Sequence, residues 1–154
     1  MEPAFLRRAI ELAAANVARG GGPFAALVVK DGHIVAEGAN RVTLANDPTA
    51  HAEVEAIRAA CSALGAFQLA GCDLYASCEP CPMCLGAIYW ARPERVFYAA
   101  TAADAAQAGF DDAFIYAQLA VAPAARAIPM LNLLRDEAGA PFAAWLAKAD
   151  RVEY

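Results

Sequence analysis

Ser77-Cys78-Glu79-Pro80-Cys81-Pro82-Met83-Cys84-Leu85-Gly86-Ala87-Ile88-Tyr89-Trp90-Ala91-Arg92-Pro93 is the run whose reading decides the fold. The residues before it, Cys72 to Ser77, pattern as a short strand. Pro80 and Pro82 suit the start of a helix and not its middle. Cys81 to Ala91 then patterns as a helix, which Arg92-Pro93 ends. The run is therefore a strand, a tight junction and a helix, with two cysteines at the junction.

The same pattern recurs on either side. Residues 3–19 place Phe5, Leu6, Ile10, Leu12, Ala13 and Val17 near helical spacing, and Gly20-Gly21-Gly22-Pro23 stops that helix. Residues 24–30 and His33 to Asn40 read as strands joined at Asp31-Gly32, a two-residue hairpin signal. Arg41 to Thr49 is a polar loop. A second helix covers residues 50–65, with Val54, Ile57, Ala60, Cys61 and Leu64 on one face. Val96 to Ala100 is a further strand, and residues 102–119 are helical or irregular. Ile128 to Leu134 reads as a fifth strand and Pro141 to Ala149 as a last helix. The order predicts an α/β fold in which helices cover both faces of one sheet whose later strands are parallel.

Composition narrows the class. At 154 residues the chain has room for one ordinary domain. The hydrophobic share is 60%, but 42 residues are alanine. The longest unbroken apolar runs, such as Leu85 to Ala91, fall far short of the ~20 residues of a membrane helix. Met1-Glu2-Pro3 shows no secretory pattern, so a cytoplasmic, membrane-free protein is expected. The net charge is −5, with 12 basic and 17 acidic residues. Arg7-Arg8 is the only adjacent basic pair. Nucleic-acid binders draw most of their affinity from basic stripes, so no nucleic-acid partner is expected.

Five cysteines, an odd number, argue against a disulfide framework. Cys81 and Cys84, at i and i+3, share a helix face near the positive helix end, which favours the metal-binding thiolate. His51, at the head of the second helix, supplies a third ligand. One His and two Cys leave a tetrahedral zinc with an open position, as in catalytic sites. Glu53 lies two residues from His51, so both reach one metal only if it sits off the helix end. A carboxylate there takes a proton from water and delivers it to a substrate. A structural site would instead recruit Cys78 as a fourth ligand and give Glu53 no task. Thiol redox at Cys78/Cys81 is the weakest reading. Cys61 and Cys72 read as buried thiols and His33 as a surface residue.

These residues form the His-x-Glu and Pro-Cys-x-x-Cys signature of zinc nucleobase deaminases. Pro48 to Arg58 and Ser77 to Pro93 resemble the cytidine deaminase-like superfamily. Phe97 to Ala100, Asp104 to Tyr116 and Arg151 to Tyr154 are similar to its bacterial guanine deaminase branch. The resemblance covers the chain from Pro23 onwards. It implies a three-layer α/β/α cytidine deaminase-like fold with a central mixed five-stranded sheet. It further implies one Zn2+ per chain on His51, Cys81 and Cys84, with Glu53 as proton shuttle. Asn40, Phe24, Trp90 and Asp112 would contact the nucleobase. Asp111 is the less favoured of the acidic pair. The branch implies hydrolysis of guanine to xanthine and ammonia, and a homodimer. In that dimer a segment of about 136–154 crosses over and Tyr154 closes the other subunit's site. Residues 1–154 would thus form a single zinc deaminase domain. An ammeline-type triazine, cytosine or tRNA adenosine as substrate, and a non-catalytic zinc-stabilised module, are the competing readings.

Overall fold

The computed structural model describes residues 2–154. Two compact units make up the chain, residues 1–112 and 113–154. The first unit opens with helix α1 (Pro3–Ala18) and the hairpin strands β1 (Ala25–Lys30) and β2 (His33–Ala39). A short helix, α2 (Val42–Ala45), occupies the segment expected to be loop. Helix α3 (Ala52–Leu64), strand β3 (Cys72–Cys78), helix α4 (Pro82–Ala91), strand β4 (Arg95–Ala100) and helix α5 (Ala102–Gln107) follow.

The strands form one sheet in the order β2-β1-β3-β4. β1 is antiparallel to both β2 and β3, while β3 and β4 are parallel. The sheet is mixed, as expected, and the later pair is the parallel one, because α4 serves as its crossover.

Period-two alternation divides the side chains between two faces. Ala26 and Val28 of β1 join Leu74 and Ala76 of β3 under Ala56 of α3 and Ile88 of α4. Leu27 and Val29 point the other way and pack with Tyr75 against Ala9 of α1. Helices therefore cover both faces. Leu27, Leu74 and Val28 are fully buried. Each contributes roughly 2 kcal/mol of apolar burial. Alanine at 26, 52, 56 and 60 lets α3 lie close to the sheet. The closest approach is at Gly38 of β2, where a Cβ would meet the Ala52 carbonyl oxygen and the Ala56 nitrogen. No side chain fits there without displacing the first turn of α3, which leads from His51 to Glu53.

The second unit holds α6 (Ala113–Leu119), a 3-10 turn at Pro123–Ala125 and α7 (Ala140–Ala147). The expected fifth strand is absent: Ile128 to Leu134 carries no strand, and the sheet has four. Pro129 lacks the N–H that a ladder needs, and Leu134 sits in the left-handed region at φ 55°. No helix among the described residues is long and apolar enough to cross a membrane.

Candidate metal centre and its pocket

The chemistry gathers where α3 and α4 begin. His51 is the N-cap of α3, with φ −72° and ψ 155°, so it lies in extended backbone just outside the helix. Cys81 is the N-cap of α4, with φ −66° and ψ 169°, and Pro82 takes the first helical position. The helix thus starts one residue later than the sequence suggests. Cys84 lies inside its first turn and is fully buried.

Both sulfurs lie 3.5 Å from His51 Nδ1. All three donor atoms fall within 4.8 Å of one another. Zinc bonds of about 2.3 Å to sulfur and about 2.0 Å to nitrogen, at tetrahedral angles, need donor separations of roughly 3.5–3.8 Å. The donor set and its spacing therefore suit a zinc ion. Among the described residues no fourth His, Cys, Asp or Glu joins the group. Cys78, the candidate fourth ligand, instead donates its thiol to the Thr101 carbonyl at 3.6 Å. All five cysteines are free thiols.

Glu53 is 8% exposed, and its Oε2 accepts from the Cys84 thiol at 3.4 Å. Placing His51 before the helix and Glu53 within its first turn lets residues two apart converge on Cys84. Burial raises the Glu53 pKa above the ordinary carboxylate range. A carboxyl so raised holds a proton more readily than an exposed one, as a proton shuttle must. The two thiols differ. Hydrogen bonding with Cys84 and with His51 lowers the Cys81 pKa to about 4. Cys84 itself is pushed well up by its bond with Cys81, by burial and by Glu53. The hydrogen bond between His51 and Cys81 raises the His51 pKa.

Asn40 ends the β2 segment and is 7% exposed. Its backbone N–H donates to the Phe24 carbonyl at 3.0 Å. Its Oδ1 accepts from the Val42 N–H at 3.2 Å, which fixes the amide. Phe24 is partly buried against the core. It meets Phe110 edge to face, with centroids 4.9 Å apart at 85°. Phe110 lies within the Asp104–Tyr116 run that carries the resemblance, but the sequence gives it no role, because its ring partner is far away in the chain. The Phe110 loop follows α5, whose start carries a capping box between Thr101 and Asp104. Glu79 accepts from the Ala102 N–H at 3.0 Å, tying the cysteine junction to the same helix start.

Asp112 is half-buried while Asp111 is exposed. Burial raises Asp112, and the negative charges of Cys81, Asp111 and Glu79 add to the effect. Asp112 is thus electrostatically coupled to Cys81. Trp90, near the end of α4, is 64% exposed. Tyr154 belongs to the second unit and is 69% exposed. His33 is a surface residue, as expected, bonded to the Asp31 carbonyl at 2.8 Å. Cys72 is buried and Cys61 half-buried.

Residues 2–100 match the cytidine and deoxycytidylate deaminase zinc-binding region, and the chain belongs to that family. Within it the chain is 60% identical to guanine deaminase of Bacillus subtilis over 151 residues, 97% of each protein. The crystal structure of guanine deaminase from that organism superposes with a TM-score of 0.98 at 58% identity, covering 100% of this chain and 99% of that one. A guanine deaminase from Nitrosomonas europaea superposes at 0.70, with 36% identity over 73% of this chain and 65% of its own. The tRNA-specific adenosine deaminase of Agrobacterium fabrum is 50% identical, but over 78 residues, 51% of each chain.

Proposed function

We propose that this protein is a zinc-dependent guanine deaminase, releasing ammonia and xanthine from guanine and water. The observation that carries the reading is the convergence of Glu53 on the three-donor group of His51, Cys81 and Cys84. The full-length similarity to the Bacillus subtilis guanine deaminase favours guanine over tRNA adenosine. The net charge of −5 disfavours a polyanionic substrate on the same grounds.

His51, Cys81 and Cys84 would hold one zinc ion per chain. Bound there, zinc lowers the pKa of water towards ~7 and supplies a nucleophile at neutral pH. The chain's own groups do the rest. Phe24, walled by Phe110, and Trp90 line the flat face of the purine. Asn40 Nδ2 donates to an acceptor on the base edge, since Oδ1 is already engaged. Asp112 accepts from the guanine N–H groups. Glu53 takes a proton from the attacking water and passes it to a ring nitrogen beside C2. It then delivers the second proton to the leaving amino group. One carboxyl serves as base and then as acid, the task its buried setting suits.

The enzyme would act in the cytoplasm on free nucleobase, in purine turnover, as a homodimer with swapped C-terminal segments. Exposed apolar side chains support the dimer: Tyr89 at 76%, Ile128 at 82% and Leu133 at 77% are costly to leave in water. Deleting Val152 to Tyr154 is expected to cut kcat/KM for guanine about a hundredfold with zinc content unchanged. Steady-state kinetics and metal analysis check this. Parent kinetics in the truncated protein would remove Tyr154 from the site.

An ammonia assay over guanine, ammeline, cytosine and a tRNA anticodon stem tests the substrate assignment. Guanine is expected to turn over at least about a hundredfold faster than the others. A faster triazine would move the assignment to that ring, and ammonia from none of them would favour a non-catalytic zinc module.

A further inference from the structure

A side chain outside the zinc group holds the loop that presents Asn40. Asn16, on α1, is 4% exposed. Its Nδ2 donates to the Gly22 carbonyl at 2.8 Å and to the Asn40 carbonyl at 2.8 Å. Its own carbonyl accepts from the Arg19 and Gly21 N–H groups, each at 3.0 Å. One residue therefore ties the end of α1, the glycine run and the end of β2 together. The approach is so close that a Cβ at Gly21 would meet Asn16 Nδ2, and would lie 2.6 Å from the Asn40 oxygen.

We infer that Asn16 is a positioning residue, which sets the Asn40 amide for the nucleobase. The bonds run in a closed path. Asn16 grips the carbonyls of Gly22 and Asn40, the Asn40 N–H donates to Phe24, and Val42 turns the Asn40 side chain. Both groups bonded by the Asn16 amide are backbone carbonyls, so only a donor fits there. An aspartate at 16 would aim oxygen at two oxygens. The inference rests on the proposal that Asn40 binds substrate, because Asn16 acts through it.

A double-mutant cycle tests it, with Asn16→Ser, Asn40→Ala and the double variant, all zinc-loaded and with melting temperatures recorded. A serine side chain is one bond shorter than the amide, so both direct bonds are lost; its small hydroxyl leaves a polar group and room for a water beside the two carbonyls, and it is the variant chosen to preserve folding. Asn16→Ser is expected to lower kcat/KM for guanine about tenfold, mostly through KM, at unchanged zinc content. In the Asn40→Ala background the same substitution is expected to change kcat/KM less than about threefold. Equal losses in both backgrounds would overturn the inference and make Asn16 merely structural. So would parent kinetics in a folded Asn16→Ser protein. The parent protein reports separately on the substrate: if it deaminates another ring and not guanine, the guanine reading fails, and the cycle is run on that ring with the same two outcomes.

Discussion

Glu53→Gln is expected to lower guanine turnover about 10³-fold while the protein keeps its zinc. The amide matches the carboxyl in size, so the packing around a residue only 8% exposed survives. The contact with Cys84 is 3.4 Å and is not a metal ligand. What the glutamine lacks is a basic oxygen that can take a proton and give it back. The loss should fall on kcat more than on KM, because the proton transfers occur after the base is bound. Metal analysis beside steady-state kinetics checks both halves. Turnover near the parent rate would assign the proton shuttle elsewhere.

Cys84→Ala is expected to reduce bound zinc to near background and guanine turnover with it. Cys84 is fully buried and touches both His51 and Glu53. Removing it leaves two protein donors, one fewer than the three that hold zinc in catalytic sites. Because a ligand that binds only the folded chain stabilises it, the variant should also lose the zinc-dependent part of its melting temperature. Zinc retained in full would point to another sulfur, and Cys78, whose thiol bonds Thr101 in this structure, would be the one to test.

Much of the metal centre was legible because its chemistry is local. Cys81 and Cys84 sit three apart, prolines mark their junction, and the two-residue step from His51 to Glu53 brings both to one point only at a helix end. The structure places His51 as the cap of α3. The hairpin at Asp31-Gly32 and the two-sided helix cover were equally local. Ile128 to Leu134 misled because apolar content resembles a strand, whereas Pro129 and the left-handed Leu134 break the ladder. The roles of Phe110 and Asn16 are hidden in the sequence for a different reason. The ring contact of Phe110 reaches back to Phe24, and Asn16 binds backbone carbonyls, which carry no side-chain identity. An asparagine late in an alanine-rich helix gives no sign of what it holds. Substrate choice was read from resemblance, since Asn40, Phe24 and Asp112 taken singly look like a strand end, a core ring and a solvated acid.

Incubating the zinc-loaded protein with guanine in ¹⁸O-labelled water tests hydrolytic deamination most directly. Xanthine and ammonia should form in equal amounts, with one labelled oxygen at C2 of the xanthine. Unlabelled product, or guanine left intact while ammonia is released from another ring, would contradict the account.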